Sequence, residues 1–258
     1  MSSEMMTNRI EVKRYSEENF TEEKAYINRE SAITLIVNGE EFMTLLCSPN
    51  QIIEFVMGYL YNEKIIAGLE DIDELYSIDE HSVAVALKDK TKSMPVAKIR
   101  TSGLGNGITF QRTVEEKPIE TQMKISPKKL LELMRKKETY EETYQRCGGI
   151  HSTALCDSNT ILAFAEDIGR HNTFDKVCGV CLKNGIDMKD KLLITSGRIS
   201  SEMVQKAVRT RIPIIVSLST ATEKAIRLAR KMNVTLIGYC RNTSFTIYTN
   251  WDKIREIC

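Results

Sequence analysis

Hydrophobic and polar positions along this 258-residue chain follow a strand-rich pattern in the first half. Two β-like runs, Ala32–Val37 and Glu41–Cys47, flank Asn38-Gly39, which is a strong hairpin pattern. Ser48-Pro49 then predicts the N-cap and first position of a helix. Weak alternation from Leu75 to Ile78 and from Val83 to Leu87 predicts two further strands. The first half is therefore expected to be rich in β-structure.

In the second half, strand-like runs alternate with helical patterns. Ile150–Cys156 and Thr160–Ala165 flank the turn 157–159 and predict another hairpin. A helix is expected from Asn172 to Asn184, with Gly185 as its C′ residue. Between residues 190 and 240 the pattern predicts strands Leu192–Thr195, Ile212–Leu218 and Val234–Tyr239, with helices begun by Ser200 and by a Thr220/Glu223 capping box. This order indicates a parallel βαβαβ core.

Composition excludes several classes of protein. The chain has 36 Lys+Arg and 35 Asp+Glu, so its formal net charge of +1 does not favour a nucleic-acid partner. The longest strongly apolar run, Ile212–Leu218, is too short to span a bilayer. The N-terminus has neither an apolar signal core nor an Arg-rich transit pattern. The composition therefore predicts a cytoplasmic α/β protein that binds no membrane.

The turn Thr195, Ser196, Gly197, Arg198 follows a predicted strand and precedes a predicted helix. Ligands of open α/β sheets bind at such strand ends. Free backbone N–H groups and the Arg198 guanidinium would suit a phosphate. The alternative is a tight turn with an N-cap and no ligand.

A second candidate is the polar run from Glu166 to Asn172, which includes Arg170 and His171. His171 could donate or accept a proton at neutral pH. The alternative is an elaborate cap, with Asn172 as N-cap and Asp167 paired with Arg170.

The seven cysteines offer a third kind of chemistry. Cys147 lies beside Arg146 and two glycines, so its thiol could have a depressed pKa, with His151 as base; a loop thiol with a core histidine is the alternative. Cys178 and Cys181 form a C-x-x-C, but the helical register places both on an apolar face. The zinc-deaminase pattern H-x-E with P-C-x-x-C is lacking, so no metal site is predicted.

Together, four segments resemble the FdhD family of formate dehydrogenase accessory proteins. They are Gly148–Leu155, AEDIGRHNTFDKV from Ala165, TSGRISSEMVQKA from Thr195 and GYCRNTSFTIYTN from Gly238. The resemblance implies a cytidine deaminase-like three-layer α/β/α sandwich with a smaller β-rich N-terminal domain. The expected domains are residues 1–120 and 121–258, and a homodimer is expected.

The resemblance also implies a function. FdhD-like proteins take sulfur from a cysteine desulfurase and pass it to the bis(guanylyl molybdopterin) molybdenum or tungsten cofactor of formate dehydrogenase. The expected cofactor-binding residues are Tyr239, Cys240, Arg241, Asn242, Thr243 and Ser244, with Thr195, Ser196, Gly197 and Arg198 at the phosphates. His151, Arg170 and His171 would line the pocket.

One departure concerns the sulfur-carrying cysteine of the family. The corresponding loop here is Thr101 to Gly107, and Leu104 stands where the persulfide cysteine is expected. Leucine forms no thiolate or persulfide. Three explanations are open. The protein binds the cofactor without carrying sulfur, or another thiol, first of all Cys147, carries the sulfur. The third explanation is that the leucine was introduced by engineering. A zinc-dependent hydrolase is a more distant alternative.

Overall fold

The computed structural model describes residues 3–90, 99–100, 108–109 and 117–255. The strands are β1 Thr7–Ser16, β2 Asn19–Asn28, β3 Ser31–Val37, β4 Glu40–Cys47, β5 Ile72–Ser77, β6 Ser82–Leu87, β7 Ile99–Arg100, β8 Ile108–Thr109, β9 His151–Cys156, β10 Ile161–Asp167, β11 Leu192–Thr195, β12 Ile214–Ser217, β13 Thr235–Arg241 and β14 Ser244–Ile247. The helices are α1 Ser3–Met6, α2 Ile52–Asn62, α3 Pro127–Glu138, α4 Glu142–Cys147, α5 Arg170–Lys183, α6 Ser201–Arg209 and α7 Glu223–Met232.

A four-stranded sheet, in the order β4-β3-β6-β5, forms the first half of the fold. The predicted hairpin is confirmed, because β3 and β4 pair antiparallel across Asn38 and Gly39, whose φ values are 52° and 86°. Helix α2 covers this sheet, and Phe55, Val56 and Leu60 are buried in the shared core.

The predicted start of α2 at Ser48-Pro49 is wrong. The helix begins at Ile52, after Gln51 in a left-handed conformation. Ser48 is fully buried, and its hydroxyl accepts the Ile168 N–H at 3.1 Å instead of capping a helix.

The second half is the predicted three-layer α/β/α sandwich. Its six-stranded sheet has the order β10-β9-β11-β12-β13-β14, and β11, β12 and β13 run parallel. Helices α5, α6 and α7 pack on one face through a core that includes Phe174, Met203 and Ala225. Helix α3 covers the other face, where Leu130 and Leu133 contact the alternate strand residues.

The helix ends are mostly those that local sequence predicts. Ser126 and Ser200 cap α3 and α6, accepting the N–H groups of Lys129 and Met203. Gly185 has φ 65° just beyond α5, as expected of a C′ glycine. The Thr220 capping box is wrong, because the side chain of Thr222 caps α7 instead.

Helices α2 and α5 join the two halves by a close crossing. A Cβ at Gly58 would lie 1.8 Å from the Asp175 carbonyl oxygen, and one at Gly179 would lie 1.7 Å from the Glu54 carbonyl oxygen. The backbones therefore touch at two points where only glycine fits.

Strands β1 and β2 form a separate antiparallel ribbon, most of whose residues are exposed. The base of the ribbon is fixed by Asn28, whose amide donates to the Gly148 carbonyl at 2.7 Å. The predicted domain boundary at residue 120 stays a prediction. Among the described residues, no helix is long and apolar enough to cross a membrane.

Candidate functional site

The candidate site lies at the edge of the six-stranded sheet where the parallel strands end. The turns that follow β11, β12 and β13 are joined by hydrogen bonds: Leu218 N–H to the Thr195 carbonyl (3.1 Å), Ile199 N–H to the Thr220 carbonyl (2.9 Å) and Tyr239 N–H to the Ser219 carbonyl (2.8 Å). Strand β9 runs antiparallel to β11, so its first residue, His151, lies at this edge. Asp167, the last residue of β10, pairs with His151. The topology thus brings the predicted site segments within the described residues to one edge; the predicted 101–107 loop lies outside those residues.

Positive charge is concentrated where His151, Arg170, Gly197 and Arg198 meet. A Cβ at Gly197 would lie 2.8 Å from the Arg170 Cβ and 3.5 Å from the His151 Nδ1, so glycine is required for this close approach. Arg198 is exposed. The Arg170 Nε is buried without a hydrogen-bond partner. Because a buried donor without a partner is costly, this arrangement fits an anionic ligand such as a phosphate.

Two backbone donors of the predicted phosphate turn are already used within the protein. The Ser196 N–H donates to the Ser152 carbonyl at 3.0 Å, and the Gly197 N–H donates to the Thr195 hydroxyl at 3.3 Å. Thr195 is itself fully buried. These two N–H groups stabilise the turn and are not free for an anion, whereas the Arg170 and Arg198 side chains remain as donors.

His151 is held by the same turn. Its Nδ1 lies 3.3 Å from the Ser196 hydroxyl, which also accepts the Ser152 N–H at 3.0 Å. Burial, then the charges of Arg170 and Arg198, lower the pKa of His151. The ring is therefore neutral at physiological pH and available as a hydrogen-bonding group.

His171 contacts a residue that the sequence reading missed. Its Nε2 lies 3.1 Å from the Ser200 hydroxyl and 3.1 Å from a carboxylate oxygen of Glu202. Burial, then Lys206 and Arg170, lower the pKa of His171 to about 3. Burial raises the pKa of Glu202, against the charges of Lys206, Arg170 and Lys224. The only sequence signal for Glu202 was its place in the first turn after the Ser200 cap.

The other polar residues of the 166–172 run are structural. Glu166 is buried and accepts the N–H groups of Thr143 and Tyr144 at the start of α4, at 3.1 and 3.0 Å. Asp167 is fully buried and pairs with Lys176 at 2.6 Å, so the predicted pair with Arg170 is wrong.

Asn172 is not the N-cap of α5, because Gly169 occupies that position. Instead, its side chain donates to the Leu46 carbonyl and to Asp167, both at 2.8 Å. Within this run the structure leaves Arg170 and His171 as the site residues.

The segment Tyr239–Ser244 lies at the same edge and comprises the end of β13, the two-residue turn 242–243 and the first residue of β14. Tyr239 (φ 49°) and Asn242 (φ 48°) are left-handed, and Tyr239 is 52% exposed. The side chains of Arg241, Asn242, Thr243 and Ser244 are exposed. Cys240 is the exception: it is fully buried in the core and burial raises its pKa to about 12, so its side chain packs and contacts no ligand.

The thiols do not match the predicted nucleophile. Cys147 is partly exposed, but its thiol donates to the Asn28 amide oxygen at 3.1 Å and to the Thr143 carbonyl at 3.4 Å. Burial and the charge of Glu166 raise the pKa of Cys147 although Arg146 opposes them. Of the two hypotheses for Cys147, the one with a depressed pKa is therefore wrong.

The C-x-x-C pair packs as predicted. Cys178 and Cys181 are fully buried, and burial raises the pKa of Cys181 to about 12. Leu104 and Cys258 lie outside the described residues. Within the described ranges, no group of three His, Cys, Asp or Glu side chains is placed to hold a metal ion.

Comparisons with known proteins agree with this architecture. Residues 28–255 match the FdhD/NarQ family. The chain is 39% identical to the sulfur carrier protein FdhD of Bacillus subtilis, covering 95% of this chain and 97% of the relative. It is 34% identical to that of Staphylococcus aureus MRSA252, covering 87% and 88%.

A solved structure from Desulfotalea psychrophila, described as a formate dehydrogenase accessory protein, shares the fold. Its TM-score is 0.78 at 20% identity, and the match covers 97% of this chain and 100% of that one. With its fold, its motifs and these relatives in agreement, this chain belongs to the FdhD/NarQ family.

Proposed function

We propose that this protein is a cytoplasmic accessory protein of formate dehydrogenase, dimeric in solution, that binds the bis(guanylyl molybdopterin) molybdenum or tungsten cofactor as its substrate. Its curated relatives are named sulfur carrier proteins. The observation that carries the binding part is the buried Arg170 Nε without a partner, beside the exposed Arg198. Arg170 and Arg198 would hold the phosphates, and the exposed residues of Tyr239–Ser244 would contact the guanylyl part.

Sulfur transfer is the second part of the proposal. A thiolate of this protein would attack the outer sulfur of a desulfurase persulfide, forming a new S–S bond while the desulfurase cysteine leaves as thiolate. The outer sulfur would then pass to the cofactor as sulfide while the carrier cysteine leaves as thiolate, and the two electrons for this reduction would come from the metal or from an external thiol. Among the described cysteines, Cys147 is the one that is not buried. Its raised pKa disfavours the thiolate that this step needs.

The second candidate function is a cofactor-holding protein that transfers no sulfur. It is favoured by Leu104 at the expected carrier position and by the protonated, hydrogen-bonded thiol of Cys147. Both candidates use the same basic edge for the cofactor. Only the thiol chemistry separates them.

Calorimetry with GDP tests the binding part. We expect the wild type to bind GDP. Arg170→Ala should lower the GDP affinity at least tenfold, or about 1.4 kcal/mol of binding free energy, and Arg198→Ala should lower it less. Arg135→Ala is the matched control, since Arg135 is exposed on α3 at the other face of the sheet. No GDP binding by the wild type would refute the proposed site.

Mass spectrometry after incubation with a cysteine desulfurase and cysteine tests the transfer. A persulfide on Cys147 that is lost in Cys147→Ser would establish a relocated carrier. No persulfide in the wild type, together with one gained in Leu104→Cys, would establish the cofactor-holding candidate and show that the loop still accepts sulfur.

A further inference from the structure

Two groups compete for one nitrogen of His171 at the candidate site. The Glu202 carboxylate and the Ser200 hydroxyl each lie 3.1 Å from its Nε2. His171 is the second residue of α5 and Glu202 the second residue of α6. The first turns of α5 and α6 therefore meet at this ring, and their contacts determine which ring nitrogen carries the hydrogen.

The carboxylate determines that position. An ionised carboxylate only accepts, whereas a serine hydroxyl donates or accepts. With Glu202 ionised, Nε2 must carry the hydrogen, and the lone pair of the neutral ring is left on Nδ1. A second proton is disfavoured by burial and by the facing groups Lys206, Arg170 and His151.

We infer that Glu202 is a positioning residue that holds neutral His171 in the Nε2–H form, so that Nδ1 is a hydrogen-bond acceptor. As far as it concerns a ligand, this inference rests on the proposed function. The guanidinium groups of Arg170 and Arg198 only donate, so His171 adds an acceptor to a site of donors. A ligand with both a phosphate and an N–H donor, as a guanine nucleotide has, satisfies both kinds of group.

The arrangement is reversed by protonation of Glu202. When Glu202 takes up one proton from solvent, its carboxyl donates to Nε2, and the ring hydrogen moves to Nδ1. The ring stays neutral, but Nδ1 becomes a donor. Burial raises the pKa of Glu202, while Lys206, Arg170 and Lys224 oppose the shift. Ligand binding that uses the Nδ1 acceptor is therefore lost on acidification.

Nitrogen-15 NMR of the full-length protein tests the inference without any ligand. The chain has three histidines, and His81→Gln and His151→Gln assign the spectrum. The wild type at pH 8 should show His171 with hydrogen on Nε2 alone. In Glu202→Gln the amide can donate or accept, so both forms should appear. Glu223→Gln, an exposed glutamate of α7, is the control and should leave the spectrum unchanged.

A pH titration of the wild type covers the case in which Glu202→Gln misfolds. As the pH falls, the hydrogen should move from Nε2 to Nδ1 before the ring becomes charged. A wild-type ring with its hydrogen on Nδ1 at pH 8, or an unchanged Glu202→Gln spectrum, overturns the inference. A ring that stays in the Nε2–H form until it charges contradicts the reversal by acid.

Ligand binding is measured separately from the NMR experiment. We expect Glu202→Gln to lower the affinity for GDP about tenfold. The affinity for inorganic diphosphate should hardly change, because the arginine donors are intact. Equal GDP affinity in the two proteins would overturn the acceptor role. Absence of GDP binding by the wild type would instead refute the proposed function and leave the NMR result standing.

Discussion

At the residue scale, Gly197 determines whether the basic site can form. It is buried against the Arg170 side chain, and a Cβ would lie 2.8 Å from the Arg170 Cβ and 3.2 Å from its Cδ. The absence of a side chain therefore lets the β11 turn lie against the first residue of α5. This contact is invisible to sequence patterns, which treat a Ser-Gly turn only as a loop.

We predict that Gly197→Ala weakens GDP binding at least tenfold by displacing Arg170. Overpacking of this kind should cost about 1–3 kcal/mol of the free energy of unfolding. Calorimetry for GDP and urea unfolding for stability measure the two effects. Gly185→Ala, where the added Cβ would meet nothing within 4 Å, is the comparison. Unchanged GDP affinity in Gly197→Ala would contradict the prediction.

The buried His171 makes the protein sensitive to acid. Its folded pKa of about 3 lies below the ordinary value of 6.5, so between these values the unfolded chain binds the proton and the folded protein does not. Stability is therefore unaffected above pH 6.5 and falls below it, by at most about 1.4 kcal/mol per pH unit.

We predict that His171→Gln reduces this slope between pH 6.5 and pH 4. Urea unfolding at several pH values gives the change in unfolding free energy per pH unit. This slope is compared between the proteins, not their absolute stability. His81→Gln, at an exposed turn, should behave like the wild type. Identical slopes for wild type and His171→Gln would show that the ring does not titrate abnormally.

At the scale of elements, the crossing of α2 and α5 sets the position of the site. Helix α5 begins with Arg170 and His171, and its middle is fixed to α2 by the Gly58 and Gly179 contacts. Any separation of the two helices would move the start of α5 relative to the β11 turn.

We predict that Gly179→Ala lowers the free energy of unfolding by about 3 kcal/mol or more, because the new methyl group would meet the Glu54 carbonyl. Gly185→Ala is the comparison: it has φ 65° but open space around it, and should cost only about 1 kcal/mol. Urea unfolding measures both. Equal losses would mean that the crossing tolerates a side chain.

Sequence predicts an element when the contacts that determine it are made between residues close together in the chain. The Asn38-Gly39 hairpin, the Ser126 and Ser200 caps and the parallel strands follow from neighbouring residues. Ser48 was mistaken for a cap because its partners, Asp167 and Ile168, lie about 120 residues away. Strands β1 and β2 were not defined individually because they are mostly exposed and do not alternate.

The candidate site was predictable in its segments but not in its contacts. Motif position pointed to Arg170, His171 and Arg198. Glu202 was missed because its partner is on another helix. Cys147 was misjudged because its local neighbour Arg146 favours a thiolate, whereas burial and Glu166 outweigh it.

At the scale of the whole molecule, a buried charge network ties the N-terminal sheet to the site-bearing half. The Lys176 ammonium, fully buried, pairs with Asp167 at 2.6 Å and donates to the Ser48 carbonyl at 3.0 Å and to the Asn50 side chain at 2.6 Å. Asp167 in turn accepts the Ser48 N–H at 2.9 Å. Both partners of the ion pair thus contact the same turn before α2.

We predict that Lys176→Met destabilises the protein by about 3–5 kcal/mol, because it leaves the buried Asp167 carboxylate without its cation. Lys183→Met is the matched control on the same helix; its exposed pair with Glu54 should contribute less than about 1 kcal/mol. Circular dichroism during urea unfolding measures both. A loss below 1 kcal/mol in Lys176→Met would contradict the prediction.

The same network has a consequence for biosynthesis. Ser48 and Lys176 are separated by 128 residues. At roughly 5–20 residues per second, the ribosome needs on the order of ten seconds to make the intervening chain. During that interval the turn before α2 has none of its α5 partners. The N-terminal sheet therefore lacks these contacts until α5 has been synthesised. The nascent chain should become resistant to proteases only after α5 has left the exit tunnel.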